Sequence, residues 1–351
     1  MPAEPVTVSA GEASRFTTEI LAAHGMPQAD AAVMADCLVQ ADLRGVPSHG
    51  VGHLPIYLER LRLGLINKAP RLQPKRVTPV AASLDGECGF GFVVATRAMK
   101  EAIAMAEVMG IGVVSVRRST HFGMAASYVL QAVTAGMMSL VFTNASRAMP
   151  PWGGRRKMFG TNPFAAGAPG GAEGPYVLDM SPAVMARGRI RRAHAAGQAI
   201  PAGAALDADG RPTTDAGAAL KGSLLPIGGA KGSALAMLMD IFSGVISGAA
   251  FAGGVSTQYD LTQPQDVGHF FLAMRPDLFL PKETYMARMD ELVRLVHANE
   301  PMEGVDAVRM PGERGNRMEL QRRQDGIPYL RADIEKLAAE AARVGVRPLL
   351  P

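Results

Sequence analysis

Two histidines stand out as groups that could trade protons. His49 follows Ser48 in the run Arg-Gly-Val-Pro-Ser-His-Gly, with Arg44 at its start. A histidine titrates near neutrality and can exchange a proton with an alcohol or ketone. A neighbouring hydroxyl can relay that proton. An arginine offers a planar fork that matches a carboxylate. The alternative for this fragment is a loop whose serine caps the next helix. His121 lies in Ser-Thr-His-Phe-Gly, directly after an apolar run at 111–116. Strand ends that lead into helices are favoured ligand positions. His121 could equally be a helix-start histidine bonded to backbone.

Four further fragments present polar groups on loops. Thr143-Asn144 follows a second apolar run, and Gly160-Thr161-Asn162-Pro163 lies beyond a proline- and glycine-rich turn. Asp179-Met180-Ser181 follows a short strand-like segment, where the carboxylate could orient a histidine or simply cap a helix. Gly228-Gly229-Ala230-Lys231-Gly232 opens a long apolar segment, and amides with a lysine there could hold a pyrophosphate. Arg187, Arg189, Arg191, Arg192 and His194 form a basic run that reads as a solvated face or as a seat for a phosphate or acidic partner. No Gly-x-Gly-x-x-Gly and no Gly-x-x-x-x-Gly-Lys-Ser/Thr occurs, so the standard Rossmann and P-loop fingerprints are absent. His49 and His53 are four apart, but no third ligand accompanies them, so no metal site is expected.

These groups need a scaffold, and the bulk properties allow a large one. The chain has 351 residues, 48% hydrophobic and 19% charged, which is globular composition. At ~150 residues per domain this suggests two domains. The net charge of +4 is too small to argue for nucleic acid. Two cysteines, Cys37 and Cys88, form no disulfide framework and point to a reducing, cytoplasmic setting. No apolar run reaches the ~18 residues of a membrane helix, and no signal-peptide pattern opens the chain.

Periodicity then places the motifs. Ser9 and Glu12 form a capping box before a helix with Phe16, Ile20 and Leu21 on one face. Apolar faces at 33–41 and 54–61 predict two more helices, with residues 41–50 as the loop between them. After a proline-rich stretch at 70–79, element types alternate. A helical face from Ala98 ends at Gly110; Ile111–Val116, Met138–Phe142, Tyr176–Leu178 and His269–Met274 read as strands; and 124–135 reads as a helix. Residues 231–247 read as a long helix apolar enough to belong in the core. Residues 282–298 and 331–343 read as amphipathic helices. The class is α/β or α+β.

The ordered set of fragments resembles the malate/L-lactate dehydrogenase family, the NAD(P)-dependent group unrelated to the Rossmann-type enzymes. It runs from Arg-Gly-Val-Pro-Ser-His-Gly through Ser-Thr-His-Phe-Gly, Gly-Thr-Asn-Pro-Phe, Asp-Met-Ser and Gly-Gly-Ala-Lys-Gly. Gly-His-Phe-Phe-Leu-Ala at 268–273 and Met-Pro-Gly-Glu-Arg at 310–314 complete it. The resemblance spans about residues 10–330. It implies a largely antiparallel central sheet that binds NAD or NADP at 76–281, and a helical domain built from 1–75 and 282–351. It implies a homodimer acting on a small 2-hydroxy or 2-oxo acid. It implies that His49 is the proton donor/acceptor with Ser48 and Asp179 as relay partners, and that Arg44 clamps the substrate carboxylate. His121 and Thr161 fall near substrate and nicotinamide. Asn144, Asn162, Asp179, Met180, Ser181, Lys231, Pro311, Gly312, Glu313 and Arg314 fall at the cofactor. Either histidine, His49 or His121, fits as the principal acid/base. Two departures, Asp-Met-Ser-Pro and Gly232-Ser233 in place of a usual Gly-Tyr, lie at implied cofactor contacts. The rival enzyme reading is a cyclic-imine carboxylate reductase. A rival of another class is a basic nucleotide- or nucleic-acid-binding protein using the arginines of 187–192.

Overall fold

A computed structural model describes residues 5–350. Ser9 caps the first helix, Ala10–Ala23, its hydroxyl accepting the Glu12 amide at 3.2 Å. Phe16, Ile20 and Leu21 are fully buried along its inner face, each worth ~1.5–3 kcal/mol of transfer energy. It packs on Gln28–Leu43, which leads through two single turns, Pro47–His49 and Val51–His53, into Leu54–Arg62. The helix Arg331–Val344 returns to this group and packs on Ala10–Ala23 and Leu54–Arg62. The strand Val6–Val8 pairs antiparallel with Ile327–Tyr329 and ties the two ends together.

The central layer is a seven-stranded sheet. Its spatial order is Lys75–Thr78, Ala81–Asp85, Ile111–Ser119, Val267–Met274, Met138–Thr143, Phe164–Ala168 and Tyr176–Met180. All neighbours are antiparallel except Ala81–Asp85 with Ile111–Ser119. That parallel pair is joined by the helix Gly91–Met109, as a parallel connection requires a crossover. The strand Val267–Met274 sits in the middle, so its Gly-His-Phe-Phe run is buried on both sides. One apolar core joins the helices to this sheet. A smaller core around Ile190, Ile200, Ala205 and Leu224 supports a three-stranded sheet formed by Ala205–Leu206, Pro212–Thr213 and Ser223–Leu224.

The structure corrects several boundaries. The strand at 111 runs on to Ser119, and the helix at 124–135 is Ala126–Thr134. The basic run 187–194 is a helix, Arg187–Ala195. The long apolar helix is Ala230–Asp240 followed by a π-turn, Ile241–Val245. It is not enclosed as its composition suggested. Leu238, Ile241, Val245 and Ile246 are 41–64% exposed, because one face of the helix meets the sheet and the other meets no part of the described chain.

Candidate active site

His49 is set by a buried carboxylate. Asp42, in the last turn of Gln28–Leu43, accepts the Val51 amide and the Tyr329 hydroxyl, both at 2.8 Å. A Cβ on Gly50 would lie 1.8 Å from Asp42 Oδ1, so only glycine lets the loop close over the carboxylate. Burial raises the Asp42 carboxyl to about 6, against the pull of those two donors and of Arg322. On this base the turn Pro47–His49 carries Ser48 Oγ to 2.9 Å from His49 Nδ1. Ser48 is exposed and His49 half-buried.

His121 approaches from the sheet. It lies two residues beyond the strand Ile111–Ser119, where the Thr120 hydroxyl donates to the Gly89 carbonyl at 3.1 Å and accepts the Gly91 amide at 2.9 Å. The His121 amide donates to Gln265 Oε1 at 3.1 Å. The rings of His49 and His121 stack with centroids 5.5 Å apart and planes 21° apart. Tyr57 Oη is 2.8 Å from His121 Nδ1, and the Gly123 amide points at the same atom from 3.4 Å. A backbone N–H can only donate, so Nδ1 is the acceptor and the ring proton sits on Nε2. His53 completes the group, 6.5 Å from His121 and edge-on to Tyr259, with the Gln258 amide 2.9 Å from its Nε2.

Desolvation dominates the electrostatics here. It lowers His49 to about 4 and His121 well below its ordinary value, and neighbouring histidines add to both shifts. Both rings are therefore neutral at pH 7. Nε2 of each has no hydrogen-bond partner among the described residues, and neither atom is sealed from solvent. Two neutral imidazoles with open Nε2 atoms can bind a carbonyl or hydroxyl oxygen and pass it a proton.

A second group of expected residues gathers around Arg44. Its guanidinium donates to Asn316 Oδ1 at 2.7 Å, to Glu319 Oε2 at 3.1 Å and to the Gly312 carbonyl at 3.4 Å. The side chain is 5% exposed and lies against Gly315, where a Cβ would come within 2.8 Å of it. Asp179 bonds neither histidine. It accepts the amide of Ala126, the first residue of the helix Ala126–Thr134, at 2.8 Å. Its carboxyl is raised to about 6 by its surroundings, although that amide and the charge of Arg44 pull it down. Met180 ends the same strand opposite Phe164, and Ser181 Oγ accepts the Ala183 amide. The Pro311 carbonyl accepts the Val177 amide at 3.0 Å, and Gly312 takes φ +102° to pass the strand where a Cβ would strike Val177. Glu313 pairs with His297, and Arg314 is exposed.

A third group lines the turn beyond the strand Met138–Thr143. Asn144 donates to Asp240 Oδ1 and the Ala250 carbonyl, and accepts the Gly268 amide. Asn162 accepts the Ala145 amide and donates to the Ala236 carbonyl. Both side-chain amides are thus spent inside the protein. Thr161 is half-buried beside them. Lys231 is exposed in the first turn of Ala230–Asp240 and has no acidic partner among the described residues.

Tyr57, Gln258, Tyr259 and Gln265 are the site residues that sequence reasoning missed. Tyr57 read as one of four apolar positions on a helical face, and only its buried hydroxyl marks it as more. Among the described residues, no group of three or more histidine, cysteine or acidic side chains is arranged to hold a metal ion.

Comparison with known proteins settles the family. The model of the malate/L-lactate dehydrogenase family matches residues 8–338. The chain belongs to that family. It is 39% identical over 313 residues to an L-sulfolactate dehydrogenase of Methanocaldococcus jannaschii, covering 89% of this chain and 90% of that protein. The solved structure of a sulfolactate dehydrogenase from that organism superposes with a TM-score of 0.92 at 36% identity, over 97% of this chain and 98% of the other. A malate dehydrogenase of Pyrococcus abyssi is 36% identical over 352 residues, 98% of this chain and 96% of that protein. A (2R)-3-sulfolactate dehydrogenase (NADP(+)) of Chromohalobacter salexigens is 33% identical over 335 residues, 95% of this chain and 98% of that protein. The family and the mostly antiparallel sheet account for the missing Rossmann fingerprint.

Proposed function

We propose that the chain is an NAD- or NADP-dependent dehydrogenase that interconverts a small 2-hydroxy acid and its 2-oxo acid, of the malate or sulfolactate type. The observation that carries this reading is the stacked, neutral His49–His121 pair with both Nε2 atoms open. The donor set at Gly228–Lys231 fits a dinucleotide phosphate. Gly228 and Gly229 take φ +57° and +61° directly ahead of the helix Ala230–Asp240, and Lys231 adds a cation with no acidic partner among the described residues. The cofactor contacts expected at Asn144, Thr161, Asn162, 179–181 and 311–314 belong to this proposal, with 76–281 as the cofactor-binding unit.

When bound, the nicotinamide supplies hydride in the reductive direction and accepts it in the oxidative one. His121 Nε2–H donates to the oxygen on C2 of the substrate, and Tyr57 keeps Nδ1 as the acceptor that this requires. As that oxygen gains charge, the Nε2–H bond stabilises it, and the proton that completes the alcohol comes from His49 Nε2 as His49 Nδ1 takes one from the Ser48 hydroxyl, which is refilled from solvent. Such positioned proton transfer contributes ~10²–10⁴-fold. His49 stacks on the same ring, and its Nδ1 meets the exposed Ser48 hydroxyl, which connects the pair to solvent protons. Asp179 holds the start of the helix Ala126–Thr134, whose first residue is five positions beyond His121.

The exposed apolar row Leu238, Ile241, Val245, Ile246 and Phe251 supports a homodimer. The two unpaired cysteines support a cytoplasmic setting. The test is the absorbance of reduced nicotinamide with NADH or NADPH and a panel of pyruvate, oxaloacetate, sulfopyruvate and cyclic imine carboxylates. Oxidation driven by a 2-oxo acid is expected. Turnover confined to the cyclic imines, or none with any acid, overturns the proposal.

A further inference from the structure

We infer that Arg191, lying on the face of Tyr259 beside His53, receives the carboxylate of the substrate. The inference rests on the 2-hydroxy acid reading above and names the cation that reading requires. A carboxylate held next to neutral histidines needs a positive partner with free N–H groups. Four arginines lie close enough to consider, and of these Arg187 is half-buried and donates Nη2 to the Leu220 carbonyl at 3.3 Å. Arg44 has its fork filled by Asn316, Glu319 and Gly312 and is 5% exposed. Arg60 is wholly buried, and both of its terminal nitrogens donate to the carbonyls of Gln258, Asp260 and Gln263. Arg191 is exposed and meets no carboxylate among the described residues.

Its placement is built rather than incidental. The Arg191 guanidinium carbon lies 4.9 Å from the centroid of the Tyr259 ring, and Nη1 donates to the Tyr259 hydroxyl at 3.2 Å. Tyr259 in turn stands edge-on to His53 at 6.5 Å, and His53 lies 6.5 Å from His121. Arg60 supports this arrangement from below, because the carbonyls it clamps flank Tyr259 on both sides. Arg191 is also near enough to His53 to disfavour its protonation, second only to desolvation. One N–H edge of the guanidinium remains for a ligand. A planar fork stacked on an aromatic ring loses little freedom when it binds a carboxylate.

The test compares wild type with Arg191→Ala and Arg191→Lys, using oxaloacetate and pyruvate in the reductive assay. The expected result for Arg191→Ala is a KM for the acid raised ~10–100-fold, the range for a lost charged hydrogen bond. Cofactor Kd, read from reduced-nicotinamide fluorescence, stays at the wild-type value. Added guanidinium restores part of the Ala variant's activity, and lysine restores less than arginine because it lacks the fork. An unchanged KM overturns the assignment, as does a loss that appears in the cofactor Kd, which would place Arg191 at a cofactor phosphate instead. Wild-type protein that turns over no 2-oxo acid overturns the dehydrogenase reading itself, a result separable from active wild type with an indifferent Arg191→Ala variant.

Discussion

His121 precedes Phe122 in the chain and His269 stacks on its ring, and the two show what separates a working histidine from a structural one. His269 stacks on the Phe122 ring at 4.6 Å and is completely buried. Its Nδ1 meets the Thr143 hydroxyl at 2.7 Å and its Nε2 meets the Ser119 hydroxyl at 2.8 Å. It thereby joins the three central strands at their ends. Desolvation lowers it to about 3, as it lowers His121. Burial and a depressed pKa are therefore common to both and do not mark function. The difference is one nitrogen. His121 gives Nδ1 to Tyr57 and keeps Nε2 open, as His49 gives Nδ1 to Ser48. His269 keeps nothing back.

The largest expected effect tests the open nitrogens. His121→Ala is expected to lower kcat/KM ~10²–10⁴-fold while circular dichroism and Tm stay close to wild type. His49→Ala follows in the same direction, and the size of each loss shows which ring moves the proton. Near-full activity in both variants would break the comparison, because an open nitrogen would then mean nothing. His269→Ala tests the closed one. It removes a stacked ring and leaves the Ser119 and Thr143 hydroxyls without their partner in the core, so a loss of about 3 kcal/mol in denaturant unfolding is expected. The folded protein should keep kcat/KM within a few-fold. A stable variant with a large kinetic defect would move His269 into the catalytic group.

The same contrast explains what could be read from the sequence. His49 and His121 were legible because each lies in a compact polar motif at the edge of an apolar element. Tyr57 was not, since its residue type suits an apolar helical face and its partner His121 is 64 positions away. Arg44 was legible as a charged residue near a histidine, but the Asn316 and Glu319 that enclose it come from a helix with no buried residue and no apolar period, Glu313–Asp325. The strand Phe164–Ala168 escaped notice because Phe-Ala-Ala-Gly-Ala is poor in strand formers. Gly167 is there because Val129 packs where its Cβ would be, a cause visible only in three dimensions. The helix Ala230–Asp240 and its π-turn show the converse. Apolar composition reads as a core helix, yet Leu238, Ile241, Val245 and Ile246 stay exposed on the described chain.

The smallest expected effect concerns pH and sharpens the comparison at the base of the His49 loop. His49 and His269 have folded values of about 4 and 3, against ~6.5 for an unfolded histidine. Between ~6.5 and about 4 the unfolded chain binds protons that these rings refuse, so stability falls as pH falls through that window. Asp42 runs the other way. Its carboxyl is raised to about 6, against ~3.9 unfolded, so the folded state takes up a proton first as pH drops below about 6. It therefore offsets part of the histidine loss. Asp42→Asn keeps a carbonyl oxygen for the Val51 amide but cannot titrate, and the decline in unfolding free energy from pH 6 to 4.5 should become steeper than in wild type. A shallower decline would mean that the Asp42 carboxylate is charged and stabilising in the folded protein. The loop under His49 would then be held by a charge rather than by two hydrogen bonds to a carboxyl group that readily takes up a proton.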